Sequence, residues 1–196
     1  MHVVTPYIAR WRTSARNCSD MSTLKRRHFL GILALSPCLP EIVLAAENTK
    51  PSLEILSRHP AIPEFRLTDI NGDTHHPEQY LGKALLINFW ATWCPPCLAE
   101  MASMDRLQNL LKGAPFGILA IAMNQTVDEI TTYHKDNPLS FPLLADPDGL
   151  ATQSFGVNGL PTSFLCDHSG RQIFRARGGR QWDAPRMQRA ISLLMP

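Results

Sequence analysis

Long apolar runs are missing from this chain of 196 residues. No stretch reaches the ~20 consecutive apolar residues of an ordinary transmembrane helix, so no such span is predicted. Cysteine is scarce too. Of the five cysteines, Cys18 and Cys38 fall in the basic leader, leaving Cys94, Cys97 and Cys166. An odd set of three does not make a disulfide-stapled scaffold; one pair is left for chemistry and one thiol stands over. A basic surplus is absent from the body of the chain. Residues 1–45 hold six of the 19 Lys and Arg but only Asp20 and Glu41 of the 17 acids, so the remainder is net −2. A mildly acidic body offers no electrostatic footprint for nucleic acid. Internal repeats and low-complexity tracts are also absent, and with 44% hydrophobic and 18% charged residues the chain suits one globular domain behind a processed end.

The leader reads as an export signal. Lys25-Arg26-Arg27-His28-Phe29-Leu30 is followed by the apolar Gly31-Ile32-Leu33-Ala34-Leu35 and a small-residue end at Val43-Leu44-Ala45-Ala46. The Arg-Arg-x-Phe-Leu pattern resembles a twin-arginine address, with an ordinary secretory signal as the alternative. Met21 would then serve as the start, and an uncleaved signal could tether the protein to a membrane. Leu35-Ser36-Pro37-Cys38 is a poor lipidation site, because Pro37 stands where a small, flexible residue is wanted.

Residues 46–60 lack periodicity and are predicted to be a linker, with the folded domain spanning 61–196. Phe65-Arg66-Leu67-Thr68 precedes Asn71-Gly72, a strong turn dipeptide, and a short helical turn is expected around Pro77-Glu78-Gln79-Tyr80. Ala84 to Ala91 is a nearly unbroken apolar run, as in a strand covered on both faces. A helix follows, with Leu98, Met101, Met104, Leu107, Leu110 and Leu111 as its buried face and Gly113 and Pro115 as its stop. Phe116 to Ala122 is a second buried strand, completing a right-handed β–α–β unit. Beyond it the pattern predicts a helix over Thr126–Asp136, a strand over Phe141–Leu144 and a short helix over Leu150–Phe155. A hairpin of Thr162–Cys166 with Gln172–Ala176 and a closing helix over Ala184–Leu194 follow.

At the junction of the first buried strand and its helix stands Trp93-Cys94-Pro95-Pro96-Cys97. A helix N-terminus carries free N–H groups and partial positive charge, both of which stabilise a thiolate. An exposed Cys94 is therefore placed to act as nucleophile, with Cys97 in reach to close a disulfide and release a partner. Pro95 suits the first helical position. Pro95 and Pro96 together remove N–H donors near Cys94 and stiffen the turn, with a net effect on potential that residue types alone leave open. Trp90 reads as core, and Trp93 as a surface platform for a substrate.

The stretch Phe89 to Cys97, with Gly156-Val157-Asn158-Gly159-Leu160-Pro161-Thr162 downstream, resembles the TlpA/ResA branch of thioredoxin-like thiol–disulfide oxidoreductases, within the wider redoxin/AhpC-TSA-like superfamily. The likeness spans about residues 62–195. It implies an α/β thioredoxin-like fold, a central mixed sheet flanked by helices with an N-terminal β-hairpin extension. It further implies that Cys94 attacks, Cys97 resolves, and Leu160–Pro161 is a cis bond beside the disulfide; a trans Pro161 opening a strand is the alternative. Trp93, Pro95, Pro96, Leu160 and Thr162 are then expected to contact substrate. Glu100, one turn after Cys97, would tune that thiol and carry its proton, unless it is simply a solvated surface glutamate. Asn88 stands where thioredoxins proper carry a buried Asp, a departure that shifts any acid–base role toward Glu100 or water.

The resemblance implies an exported, periplasmic enzyme that reduces cysteine-containing proteins, of the kind found in cytochrome c maturation or metal-site assembly. A membrane thiol relay would recharge it. It is expected to act as a monomer with no cofactor beyond the redox-active Cys94–Cys97 pair. Oxidase or isomerase action at the same site, or a non-catalytic assembly module, are the other readings. A metal site fits poorly: His75-His76 is expected to be a solvated loop pair, and Cys166-x-His168 lacks a second compact ligand unit. Cys166 reads instead as a buried, small hydrophobe. A copper chaperone would show wider cysteine spacing. A peroxiredoxin-type peroxidase would need P-x-x-x-[ST]-x-x-C, and Ile87 and Ala91 occupy those places.

Overall fold

The computed structural model describes residues 52–196. The leader, with its twin-arginine pattern, Cys18, Cys38 and the candidate start at Met21, lies outside the described residues, as does the first part of the predicted linker. The rest of that linker is not featureless. Ser52–Ile55 forms strand β1, paired antiparallel with a later strand, although all four of its residues are exposed. The pairing rather than any apolar periodicity orders it.

Next come the two short strands β2 (Leu67–Thr68) and β3 (Thr74–His75), the expected hairpin, and a 3₁₀ turn over Pro77–Tyr80. Gly72 takes the left-handed conformation (φ +90) that the turn requires. The Asp69 carboxylate accepts from the Asn71 and Asp73 amides at 2.8 and 3.0 Å and closes the turn from inside. His75 is not solvated: its Nδ1 lies 2.6 Å from the Tyr80 hydroxyl and its Nε2 3.2 Å from Asp69, so the hairpin has drawn it inward.

The remaining elements are β4 (Ala84–Trp90), α1 (Pro95–Leu110), β5 (Phe116–Met123), α2 (Val127–Asp136), β6 (Leu143–Asp146), α3 (Leu150–Ser154), β7 (Thr162–Cys166), β8 (Gln172–Arg177) and α4 (Pro185–Ser192). The predicted strand at 141–144 starts two residues late, because Pro142 has no N–H to give a ladder. α2 opens on a capping box between Thr126 and Glu129. The six-stranded sheet runs β1-β8-β7-β4-β5-β6. β4, β5 and β6 are mutually parallel, while β7 runs antiparallel to β4 and β8 to β7.

Every residue of β4 is buried because the sheet is covered on both faces. Alternate side chains diverge. Leu85, Ile87 and Phe89 join Phe155, Phe164 and the chain before β4. Leu86 and Trp90 join Met101, Met104 and Leu107 of α1 with Trp182, Met187 and Ile191. Asn88 shares that second side, which is how a polar residue of the central strand comes to face α1. Cys166 is fully buried in β7, and the surrounding apolar groups push its thiol pKa well up, so it is inert near neutral pH.

The predicted buried face of α1 holds except at its end. Leu107 is fully buried and Leu111, four residues on, packs against the same core, but Leu110, three residues on, is 61% exposed. Leu107→Ala is therefore expected to cost ~2–5 kcal/mol. Leu110→Ala should change stability by no more than ~0.5 kcal/mol. Urea denaturation of the two variants checks the contrast.

Candidate active site

Cys94 is the N-cap of α1, Pro95 and Pro96 are its first two residues, and Cys97 is the third. Cys94 and Cys97 are joined by a disulfide. The peptide bond Leu160–Pro161 is cis. The expected exposure of the nucleophile is corrected: Cys94 is only 5% exposed and Cys97 fully buried, while Trp93 beside them is 63% exposed. Cys94, its sulfur bonded to Cys97, lines a groove of about 380 Å³. Trp93, Cys94 and Pro95 line it together with Met123 and the loop from Val157 to Leu160, and no charged side chain does.

Two residues expected at the substrate surface are not in that groove. Thr162 is buried at the start of β7, and its hydroxyl donates to the Gly159 carbonyl at 2.7 Å. Pro96 is exposed, yet its carbonyl is turned toward Gly179, where a Cβ would come within 2.9 Å of it. Glycine at 179 is what lets the β8–α4 loop close on the cysteine turn.

The helix mouth also differs from its expected chemistry. An N-cap side chain normally accepts from the N–H of the second or third helical residue. Here the second is Pro96, which has none. The amides of Cys97 and Leu98 both donate to the Cys94 carbonyl, at 3.0 and 3.1 Å, and the Cys94 sulfur accepts no cap hydrogen bond. In the disulfide form the Cys94 sulfur is therefore without a cap donor, and the helix dipole still acts on it.

Glu100 is not a surface glutamate. It is 1% exposed. Its Oε1 accepts from Asn88 Nδ2 at 2.8 Å, and its Oε2 accepts from the Arg180 amide and the Trp182 indole N–H, both at 3.1 Å. Burial pushes its pKa up to about 7, opposed first by the Arg180 amide, then by Asn88, Trp182 and the Arg180 charge. Ser103, one turn on, donates to the Glu100 carbonyl at 2.8 Å and accepts from the Trp182 amide at 3.0 Å. Residues 179–182 are thus fastened to α1 at Pro96, Glu100 and Ser103. Their role went unread in the sequence; the Gly178-Gly179 pair and the lone Trp182 ahead of the last helix were the available signals.

Among the described residues no cluster of three or more metal-ligating side chains occurs, and no helix is long and apolar enough to cross a membrane.

A dithiol–disulfide pair at a helix mouth, beside a cis-proline loop on a mixed sheet, defines a thioredoxin-like thiol–disulfide oxidoreductase. Comparison with known proteins agrees. Residues 59–172 match the model of the AhpC/TSA family, and the chain belongs to that family. It is 35% identical over 116 residues to the thiol-disulfide oxidoreductase ResA of Bacillus thuringiensis subsp. konkukian, a match covering 59% of this chain and 67% of the relative. ResA of Geobacillus kaustophilus is 35% identical over 55% of this chain and 62% of its own. Among solved structures, a thioredoxin-family thiol:disulfide interchange protein from Chlorobium tepidum superposes with a TM-score of 0.60 at 28% identity, over 69% of this chain and 98% of that one. The pneumococcal exposed lipoprotein thioredoxin of Streptococcus pneumoniae gives 0.60 at 25% identity, over 67% of this chain and all of that one.

The buried carboxyl carries a pH signature. Its folded pKa of about 7 lies above the ordinary 4.5, so the folded state binds the proton more tightly. That contribution is fully present below the unfolded value and is lost as pH rises through the folded one. The loss should amount to about 3 kcal/mol of stability between the two values. Glu100→Gln should flatten this part of the profile, as read by urea denaturation of the oxidised protein across the window.

Proposed function

We propose that this enzyme works in the reductive direction, outside the cytoplasm, on cysteine-containing proteins. The Cys94 thiolate attacks a disulfide sulfur of the partner, forming a mixed disulfide and releasing the first partner sulfur as a thiolate. Glu100, ionised, takes the proton of Cys97. The Cys97 thiolate then attacks the Cys94 sulfur, releasing the second partner sulfur and leaving Cys94–Cys97 oxidised. Two electrons pass from the enzyme to the partner, carried by the cysteine pair. Trp93, Pro95 and Leu160 receive the partner chain in the uncharged groove.

The observation that carries the direction is the hydrogen bonding of the helix mouth. A dithiol is a strong oxidant when its reduced form, with an ionised first cysteine, is stabilised. Here Pro95 and Pro96 supply no N–H, and the next two amides are taken up by the Cys94 carbonyl. Withholding those donors disfavours the thiolate state and favours electron donation. The leader pattern supports export by the twin-arginine route, and the match to an exposed lipoprotein thioredoxin is in keeping with a site outside the cytoplasm. An oxidising surrounding cannot restore the dithiol, so a membrane thiol relay is the proposed reductant. Partner cysteines of the haem-attachment or copper-site type, which must be reduced before assembly, are the proposed targets, and the enzyme acts as a monomer.

Equilibration with glutathione tests the direction. A potential near thioredoxin's ≈ −270 mV is expected, and one near the ≈ −120 mV of strong oxidants would overturn the reductive reading. Pro96→Ala, which restores the N–H that an N-cap side chain uses, should raise the potential by about 30 mV, the equivalent of one charge-assisted hydrogen bond. Cys94→Ser should abolish insulin reduction. Glu100→Gln should slow resolution of a trapped mixed disulfide several-fold and erase its dependence on pH near neutrality. Unchanged resolution rates would remove Glu100 from the mechanism.

A further inference from the structure

Glu100 is surrounded by hydrogen-bond donors only: the Asn88 amide nitrogen, the Arg180 backbone N–H and the Trp182 indole. Each suits a carboxylate, which only accepts. None can accept from a carboxylic acid, which must place one O–H. Protonation of Glu100 therefore creates a buried donor that none of its present partners can accept. On the far side of the same Asn88 amide, the reverse fault is present. Asn88 is fully buried, and its Oδ1 has no hydrogen-bond partner. Turning the amide over gives the acid proton an acceptor, while the amide nitrogen takes the place where Oδ1 has no partner.

Asn88 Nδ2 also donates to Ser163 Oγ of β7, at 2.8 Å. A hydroxyl accepts and donates equally well, so Ser163 suits either face of the amide. The last torsion of an Asn side chain is broad and nearly two-fold, so the two orientations occupy almost the same space. We infer that Asn88 is a positioning residue whose amide turns over when Glu100 takes up a proton, so that Oδ1 replaces Nδ2 against both Glu100 and Ser163. Ionised Glu100 then accepts from Nδ2–H. Protonated Glu100 donates to Oδ1, and Ser163 donates to the same oxygen. No bond is made or broken except hydrogen bonds, and the proton on Glu100 is the one it exchanges.

The charged surroundings leave the turnover to this one proton. From the β8–α4 loop the guanidinium of Arg180 acts on Glu100, and Arg186 of α4 acts on Arg180 in turn. Asn88 and Ser163 from the sheet and Trp182 from the loop are neutral, and the cysteines one turn back are charged only when reduced. An Asp at position 88 would bring a second carboxylate and a second proton to the same place. The amide instead serves both protonation states of Glu100 without adding a charge, and the pH range of the exchange is set by one carboxyl group.

The inference rests on the proton exchange at Glu100 proposed above, but its test needs no turnover. The oxidised full-length protein is followed by NMR from about pH 5 to about pH 9, a range bracketing the raised carboxyl. The Glu100 side-chain carboxyl carbon reports protonation, and the two Asn88 side-chain amide protons report orientation. Nuclear Overhauser contacts from those protons to Glu100 Hγ and Ser163 Hβ are expected to weaken several-fold as pH falls, with the midpoint of the carboxyl carbon. A titrating carboxyl with unmoved amide signals and contacts would overturn the inference, as would a carboxyl that does not titrate in the range. The two failures are separable. If Glu100→Gln left exchange unchanged, the mechanism would fall while the amide turnover could still be read in the unmodified protein.

Discussion

Burial of one carboxyl group constrains this structure more than any other single feature. Glu100 projects from α1 into the layer between that helix and the sheet, where an ionised group is costly unless it is fully hydrogen-bonded. The partners come from two separate places: Asn88 in the middle of the central strand, and the loop over residues 179–182 between the last strand and the last helix. The loop can reach only because Gly179 lies flat against the Pro96 carbonyl. Ser103 fixes it a second time. The cysteine turn, the central strand and the chain's closing segment are therefore held in one arrangement by the need to satisfy two carboxylate oxygens.

The satisfaction is deliberate in only one direction. A site built to keep Glu100 ionised at all costs would add a close guanidinium. Here Arg180 contributes its backbone N–H to the carboxylate. Its guanidinium Nη2 instead reaches the Ser52, Arg177 and Gly178 carbonyls, 2.7 to 3.4 Å away. Burial is left the largest influence on the carboxyl, and the value settles near neutrality. A group poised there suits the proton exchange proposed for it.

Much of the frame was legible in the sequence because it depends on local rules. The apolar run of β4, the helix beginning at Pro95, the hairpin around Asp167–Gly170 and the turn at Asn71-Gly72 each follow from period, proline or glycine. What escaped depends on contacts distant in the chain. β1 is ordered by pairing with β8, and nothing in Ser52–Ile55 announces it. Leu110 fits the helical period of a buried residue and is exposed, while Leu111 beside it takes the place against the core. His75 reads as a loop histidine until the hairpin brings Tyr80 and Asp69 to it. Glu100 could be placed beside Cys97 by its spacing, but whether it faced water or the sheet turned on Trp182, 82 residues further on.

The same distinction explains why the cysteine pair reads differently in sequence and in space. In sequence, a CxxC at a helix mouth implies a thiolate held by free amides. In space, the two prolines and the Cys94 carbonyl leave none of the first-turn amides for the sulfur. In the disulfide form the first cysteine thereby has no amide donor. The second, buried cysteine lies one helical turn before the buried Glu100 carboxyl, the group proposed to take its proton. That asymmetry, set by where backbone N–H groups are missing, is what the proposed reductive reading rests on.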